Sequence, residues 1–244
     1  MENLKSLLSK SIIVDEKSVA LFFSGGIDSA IVLNLLTEKR ITPTLYNLKM
    51  NDVQSDDYKS FVQISDILKL PNKTIVIDDT SNIHKYKRLL IMYGIPQRKR
   101  ASLLVMCLFA HLIENTEEDV IYTGLGSDAY YGLGRDFSIQ CSLKGEKIPS
   151  VESLISFREK NYKHYMEQYS AIQEYANKRG KVVIAPFLND DVFAYFLNKS
   201  YQDCNKPKAK SILTSLYPAY FDIFKARNPS NMHCGNSGFK NLQV

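Results

Sequence analysis

Five short runs rich in Val, Ile and Tyr recur along the chain: SVALFF (18–23), TPTLYNL (42–48), KTIVID (73–78), DVIYTG (119–124) and KVVIAP (181–186). Between them lie segments of helical period, DSAIVLNLLTEKR, SDDYKSFVQISDILKL and RKRASLLVMCLFAHLIENT. Runs of four to eight apolar residues bounded by turn signals read as strands, and their alternation with amphipathic segments is the pattern of βαβ units. Right-handed crossovers then place the strands in parallel with helices on both faces. The expectation is an α/β protein with a parallel five-stranded sheet, whose ligands lie beyond the carboxyl ends of the strands. FREKNYKHYMEQYSAIQEYANKRG predicts one long, polar, Tyr-rich helix within 151–180, and the chain after 187 reads as helical to about Lys225. The tail NPSNMHCGNSGFKNLQV has no periodicity. With 244 residues and 45% apolar content the chain can bury a sizeable core, and a single domain over 1–244 is expected. A boundary to a helical subregion, 151–244, would fall in CSLKGEKIPS.

Composition excludes several classes. No stretch approaches the roughly 20 apolar residues of a membrane span, and MENLKSLLSKSIIVDEK puts charges where a signal peptide is apolar. A soluble, cytoplasmic protein in a reducing compartment is expected, with no membrane partner. Cys107, Cys141, Cys204 and Cys234 form no C-x-x-C pair, which argues against a structural zinc site or an iron–sulfur cluster. Cys107, inside SLLVMCLFAHLI, reads as a buried inert thiol. His84, His111, His164 and His233 fall in no motif and read as ordinary polar or core residues. The net charge of +5 suits a polyanion such as ATP or RNA and equally an ordinary solvated surface.

FFSGGIDSA, residues 22–30, carries the chemistry. Gly25 and Gly26 lack β-carbons, so backbone N–H groups can close on a bulky anion, and the helix expected from near Ile27 aims its positive end at the same place. Ser24 and Ser29 add hydroxyl donors. The string lacks the lysine of a Walker A loop and the spacing of G-x-G-x-x-G. An acid inside a phosphate cradle repels its ligand unless a divalent cation lies between them, so Asp28 implies Mg²⁺. In PQRKRAS, Arg98, Lys99 and Arg100 stand at a helix start, where the macrodipole disfavours cations unless an anion is near.

SGGIDS resembles the PP-loop of the ATP pyrophosphatases. YTGLGSDAYYGLGRD (122–136), APFLNDD (185–191), KSILTSLYPAYF (210–221) and RASLLVMCLFAHLI (100–113) resemble, in order and spacing, segments of the asparagine synthetase C-terminal domain. The similarity runs over residues 16 to 227 and implies an adenine nucleotide alpha hydrolase-like fold. It also implies a reaction in which ATP is cleaved between its α and β phosphates, a substrate oxygen is adenylylated and a nucleophile displaces AMP. By this resemblance Ser24, Gly25, Gly26, Asp28 and Ser29 hold the pyrophosphate, and Asp28 and Asp128 bind Mg²⁺. Lys210 contacts the phosphates, Leu48 and Gly124 offer backbone contacts to the adenosine, and Arg100 faces the substrate.

Three positions depart from the family pattern: Leu125 for the glutamate of G-E-G, Ala129 for the acid after the metal-binding aspartate, and Thr214 for the arginine of K-x-x-L-R. Leucine can neither transfer a proton nor pair with an ammonium group, so asparagine formation is not expected. The chain opens MENL, without a cysteine at position 2, and ammonia from glutamine would come from a separate glutaminase subunit. Two readings stand: an AMP-forming amide ligase that activates a small-molecule carboxylate or modified nucleotide for attack by ammonia or an amine, and an enzyme that adenylylates a base carbonyl in tRNA or DNA. An ATP-binding regulatory subunit is disfavoured by the presence of both acids and Lys210.

Overall fold

A computed structural model describes residues 3–13, 18–51, 53–77, 86–87, 92, 100–224 and 239. The five expected strands form one parallel sheet: β1 (Val19–Phe22), β2 (Thr44–Met50), β3 (Asn72–Ile77), β4 (Val120–Thr123) and β5 (Val182–Ile184), in the order β3-β2-β1-β4-β5. The order reverses between β1 and β4, so the crevice at the ends of those two strands is where a ligand of such a sheet is expected. Their register sets Phe22 against Thr123, so the chain leaves the two strands side by side, through Phe23 and Ser24 on one and Gly124 on the other. Parallel strands buried on both faces need apolar residues at every position, and β1 and β4 are fully buried throughout.

The pleat divides the strands between two cores. Ala20, Phe22, Tyr46, Leu48 and Ile121 point to one face, under α4 (Arg100–Glu114) and α6 (Val151–Asn177). Val19, Leu21, Leu45, Val120 and Tyr122 point to the other, under α1 (Leu4–Ser9), α2 (Ile27–Glu38) and α3 (Asp56–Leu68). Each buried Leu, Ile or Phe contributes about 1.5–3 kcal/mol of transfer free energy. The apolar stripe of α4 has the long helix α6 as its partner. Cys107 lies fully buried within it, as expected.

No sequence signal marks α5 (Arg135–Leu143), which falls in the stretch leading to the anticipated boundary. Its mixed composition hides a short apolar stripe: Phe137 and Cys141 are buried against Leu154 of α6, with Phe157 and Tyr201 packed alongside. The segment after 187 is helical as expected but broken into α7 (Asp190–Leu197), α8 (Tyr201–Asn205), α9 (Ser211–Thr214) and α10 (Pro218–Ile223). Ser200 and Asp203 close a capping box on α8, and α9 packs against both α8 and α2. That last contact carries the distal chain back to the first βα turn. Among the described residues no helix is long and apolar enough to cross a membrane.

Candidate active site

The turn from β1 into α2 is closed by its own hydroxyls. The Gly26 N–H donates to Ser24 Oγ at 3.2 Å, Ser29 Oγ donates to the Gly26 carbonyl at 3.2 Å, and the two hydroxyl oxygens face each other at 3.4 Å. Gly25 has φ +70°, and a β-carbon there would lie 2.7 Å from Ser60 Cβ, so glycine is demanded twice over. Asp28 sits in the first turn of α2, where an acid already complements the helix dipole. It does more than cap.

At the end of β4, Gly124 lies so close to this turn that a β-carbon would come within 2.8 Å of Ser29 N and 2.9 Å of the Asp28 carbonyl carbon. The approach brings the Ser127–Ala129 turn against α2. Ser127 Oγ donates to Asp28 Oδ1 at 2.7 Å and meets the Tyr131 hydroxyl at 3.2 Å. Into this junction comes Lys210, whose ammonium lies 2.8 and 2.7 Å from the two carboxylate oxygens of Asp28 and 2.6 Å from Asp128 Oδ1. Asp28 and Asp128, expected from the resemblance as metal ligands, and Lys210, expected as a phosphate contact, therefore meet at one point.

The Lys210 side chain is only 3% exposed, while those of Asp28 and Asp128 are 24% and 40% exposed, so the ammonium is buried behind two acids that reach the cleft. Burial alone would drive off its proton, but the charges of Asp28 and then Asp128 outweigh it and hold Lys210 protonated, well above the ordinary lysine value. Burial pushes the Asp28 carboxyl above its usual range, against the pull of Lys210 and with Asp128 adding its repulsion. A divalent cation would relieve that repulsion. Two carboxylates beside a glycine turn fit the way Mg²⁺ is held, by one or two acids plus phosphate oxygens and water. Among the described residues no group of three or more His, Cys, Asp or Glu offers an all-protein cage.

The lysine is held in an unusual backbone state. Lys210 has φ +57°, a left-handed conformation rare for a residue with a side chain. The Asn205 side chain fixes it: Oδ1 accepts the Lys210 N–H at 3.0 Å while Nδ2 donates to the Tyr131 carbonyl at 2.9 Å. One buried carboxamide thus ties the lysine to the loop that carries Asp128. Arg158, fully buried, does similar work nearby, donating to the carbonyls of Tyr130, Leu197 and Lys199. The Tyr131 ring lies 5.2 Å under the Lys210 ammonium. The motif reading passed over Ser127, Tyr131, Arg158 and Asn205; only Ser127 and Tyr131, inside GSDAYY, had a sequence cue.

Ser24, Asp28, Ser29 and Asp128 border a cleft of about 260 Å³. Leu48 and Gly124 line it, with Phe22 and Phe109 in ring contact at its apolar end. Asn47, also at the cleft, is buried and leaves its Oδ1 without a hydrogen-bond partner among the described residues. Of the three departures from the family pattern, Leu125 alone faces the cleft; Ala129 is fully buried beneath its turn, and Thr214 turns its hydroxyl to the Ser211 carbonyl. His111 is buried beside Tyr86, in line with a core role, and His164 borders the cleft. It stands on the face of α6 together with Tyr165 and Gln168, where helical spacing alone cannot tell a cleft face from a core face. Arg100 opens α4, but its side chain, like Arg98, Lys99, His84, His233 and Cys234, lies outside the described residues.

A glycine turn between the first strand and helix of a parallel sheet, facing a second acid from the neighbouring strand, is the arrangement of the PP-loop ATP pyrophosphatases. The family model described as Asparagine synthase matches residues 3–213, and the chain belongs to that family. Comparison with curated proteins returned no match. Among solved structures, a U34-tRNA thiolase, NcsA, from Methanococcus maripaludis, with its [4Fe-4S] cluster, shares 16% identity over 91% of this chain and 73% of that one, at a TM-score of 0.39. An NMN synthetase from Francisella tularensis shares 15% identity over 94% and 96%, at 0.34. A predicted tRNA methyltransferase subunit from Methanocaldococcus jannaschii shares 19% identity over 70% and 91%, at 0.34. Likenesses this distant carry no function across.

Proposed function

We propose that the chain is an AMP- and pyrophosphate-forming ligase that adenylylates a carboxylate and delivers it to ammonia or an amine. The observation that carries this reading is the single ammonium of Lys210 bound to both Asp28 and Asp128 beside the glycine turn. In the first step a carboxylate oxygen attacks the α phosphorus, the bond to the bridging β oxygen breaks, and pyrophosphate leaves with the electron pair. In the second, the amine attacks the acyl carbon, AMP departs and the amine sheds a proton. Mg²⁺, held by Asp28 and Asp128, would neutralise the charge that collects on pyrophosphate. The turn of Ser24, Gly25, Gly26 and Ser29 binds the phosphates with its N–H and hydroxyl groups. Lys210 fixes the two acids and supplies the nearest permanent positive charge among the described residues. Leu48 and Gly124 border the adenosine, and Arg100 holds an anionic group of the substrate or intermediate.

The nucleobase reading has less support. Tyr162, Tyr165 and Tyr169 of the long helix pack against the two cores instead of standing out as stacking platforms. Incubation with ATP, Mg²⁺, ammonium and a panel of carboxylates, followed by mass spectrometry, tests the proposal: AMP and pyrophosphate should appear together. ADP as product would overturn it. A glutaminase subunit as ammonia source would show itself by making glutamine a substrate of the pair.

A further inference from the structure

Phe22 and Leu48, at the ends of β1 and β2, and Val105, Phe109 and Leu112 of α4 give the cleft an apolar end. One more ring borders it. Phe239 lines the cleft, is only 3% exposed, and belongs to the same buried cluster as Phe22, Leu48, Phe109 and Leu112. Phe224, the last residue described before it, belongs to the core on the other face of the sheet. Position 239 lies beyond residue 227, where the sequence resemblance ends, in a tail without periodicity. No motif accounts for it. The cleft keeps its volume of about 260 Å³ with this ring in place, so Phe239 is part of the wall and does not fill the space.

A nucleoside triphosphate makes two unlike demands on one cleft. Its phosphates need N–H groups, hydroxyls and cations, and these gather at the glycine turn. Its base is a flat ring with apolar faces, which gains by leaving water against another ring. The apolar end, with Phe239 in its wall, meets that second demand. Resting on the ligase reading above, in which Leu48 borders the adenosine, we propose that Phe239 is a nucleotide-binding residue whose ring contacts the base of ATP. The phosphates are then held by residues inside the stretch that carries the family motifs, and the base in part by a residue outside it. The two contributions are separable: loss of the ring weakens ATP and spares an inorganic polyphosphate.

The chain has no tryptophan, so Phe239→Trp in the full chain places a lone reporter at this position. Its emission should shift on addition of ATP with Mg²⁺ and stay unchanged with Mg²⁺ and tripolyphosphate, which offers phosphates without a base. Calorimetry on Phe239→Leu, which keeps apolar bulk for the core but removes the ring, gives a second readout. ATP should bind about fivefold more weakly than to the unsubstituted chain, and tripolyphosphate with an affinity changed by less than about twofold. Thermal unfolding confirms that both variants are folded. Unchanged ATP affinity in Phe239→Leu, equal losses for the two ligands, or tryptophan emission that ATP does not move overturns the assignment of Phe239 alone. An unsubstituted chain that binds neither ligand in the presence of Mg²⁺ overturns the ligase reading and the assignment with it.

Discussion

On one side of the cleft, the glycine turn, the Ser127–Ala129 turn and Lys210 bring two carboxylates each within 3 Å of one ammonium. On the other, α6 presents a phenol, an imidazole and a carboxamide with no fixed charge among them. The charged side is assembled from three distant stretches of chain and depends on tight backbone approach. The neutral side comes from one continuous helix, where a side chain can change without disturbing the backbone. A junction of backbones admits few substitutions, and a helix face admits many.

The largest effects should come from the charged side. Lys210→Met leaves Asp28 and Asp128 repelling each other without a counter-ion; removing one partner of a buried pair costs about 3–5 kcal/mol, and pyrophosphate release should fall by about 10²–10³-fold. Thermal unfolding and pyrophosphate assays would read both, and a near-native rate would show that the cluster is structural only. Asp128→Asn, which keeps the shape but loses the charge, should weaken pyrophosphate release comparably while costing less stability, because Asp128 is the more exposed acid. Gly124→Ala drives a β-carbon into Ser29 N; overpacking of this kind costs about 1–3 kcal/mol and should lower turnover by parting the two turns. Asn205→Ala should cost about 1–3 kcal/mol by orphaning the Lys210 N–H and the Tyr131 carbonyl. Turnover should fall more than ATP affinity, and equal losses in both would argue for a general loosening instead. The smallest effect is expected at Cys107, whose thiol burial pushes up to about 12. Native-state alkylation at pH 8 should leave it unlabelled.

The charged side was legible in the sequence and the neutral side was not, for physical reasons. Strands buried on both faces print as near-continuous apolar runs, so all five fell within a few residues of their expected places, β2 running two residues further to Met50. SGGIDS and GLGSD announce themselves because turns packed this tightly, with no room for a β-carbon at Gly25 or Gly124, tolerate few alternatives. Lys210 came with its motif, but its left-handed backbone and the Asn205 that holds it left no trace, since a lone Asn at a helix end usually signifies nothing beyond capping. His164, Tyr165 and Gln168 were hidden by their helix: the same spacing serves a core face, an interface or a cleft, and only the position of the Ser127–Ala129 turn decides among them. The short α5 was missed because its two buried residues, Phe137 and Cys141, form too brief a stripe to stand out from the polar residues around them.

Lys210 follows Asp28 by 182 positions. During synthesis, when the amino-terminal part of a chain begins to fold before the rest exists, the glycine turn and both acids are present long before the ammonium that reconciles them. A chain that stops short of residue 210 lacks the positive charge that lies between Asp28 and Asp128.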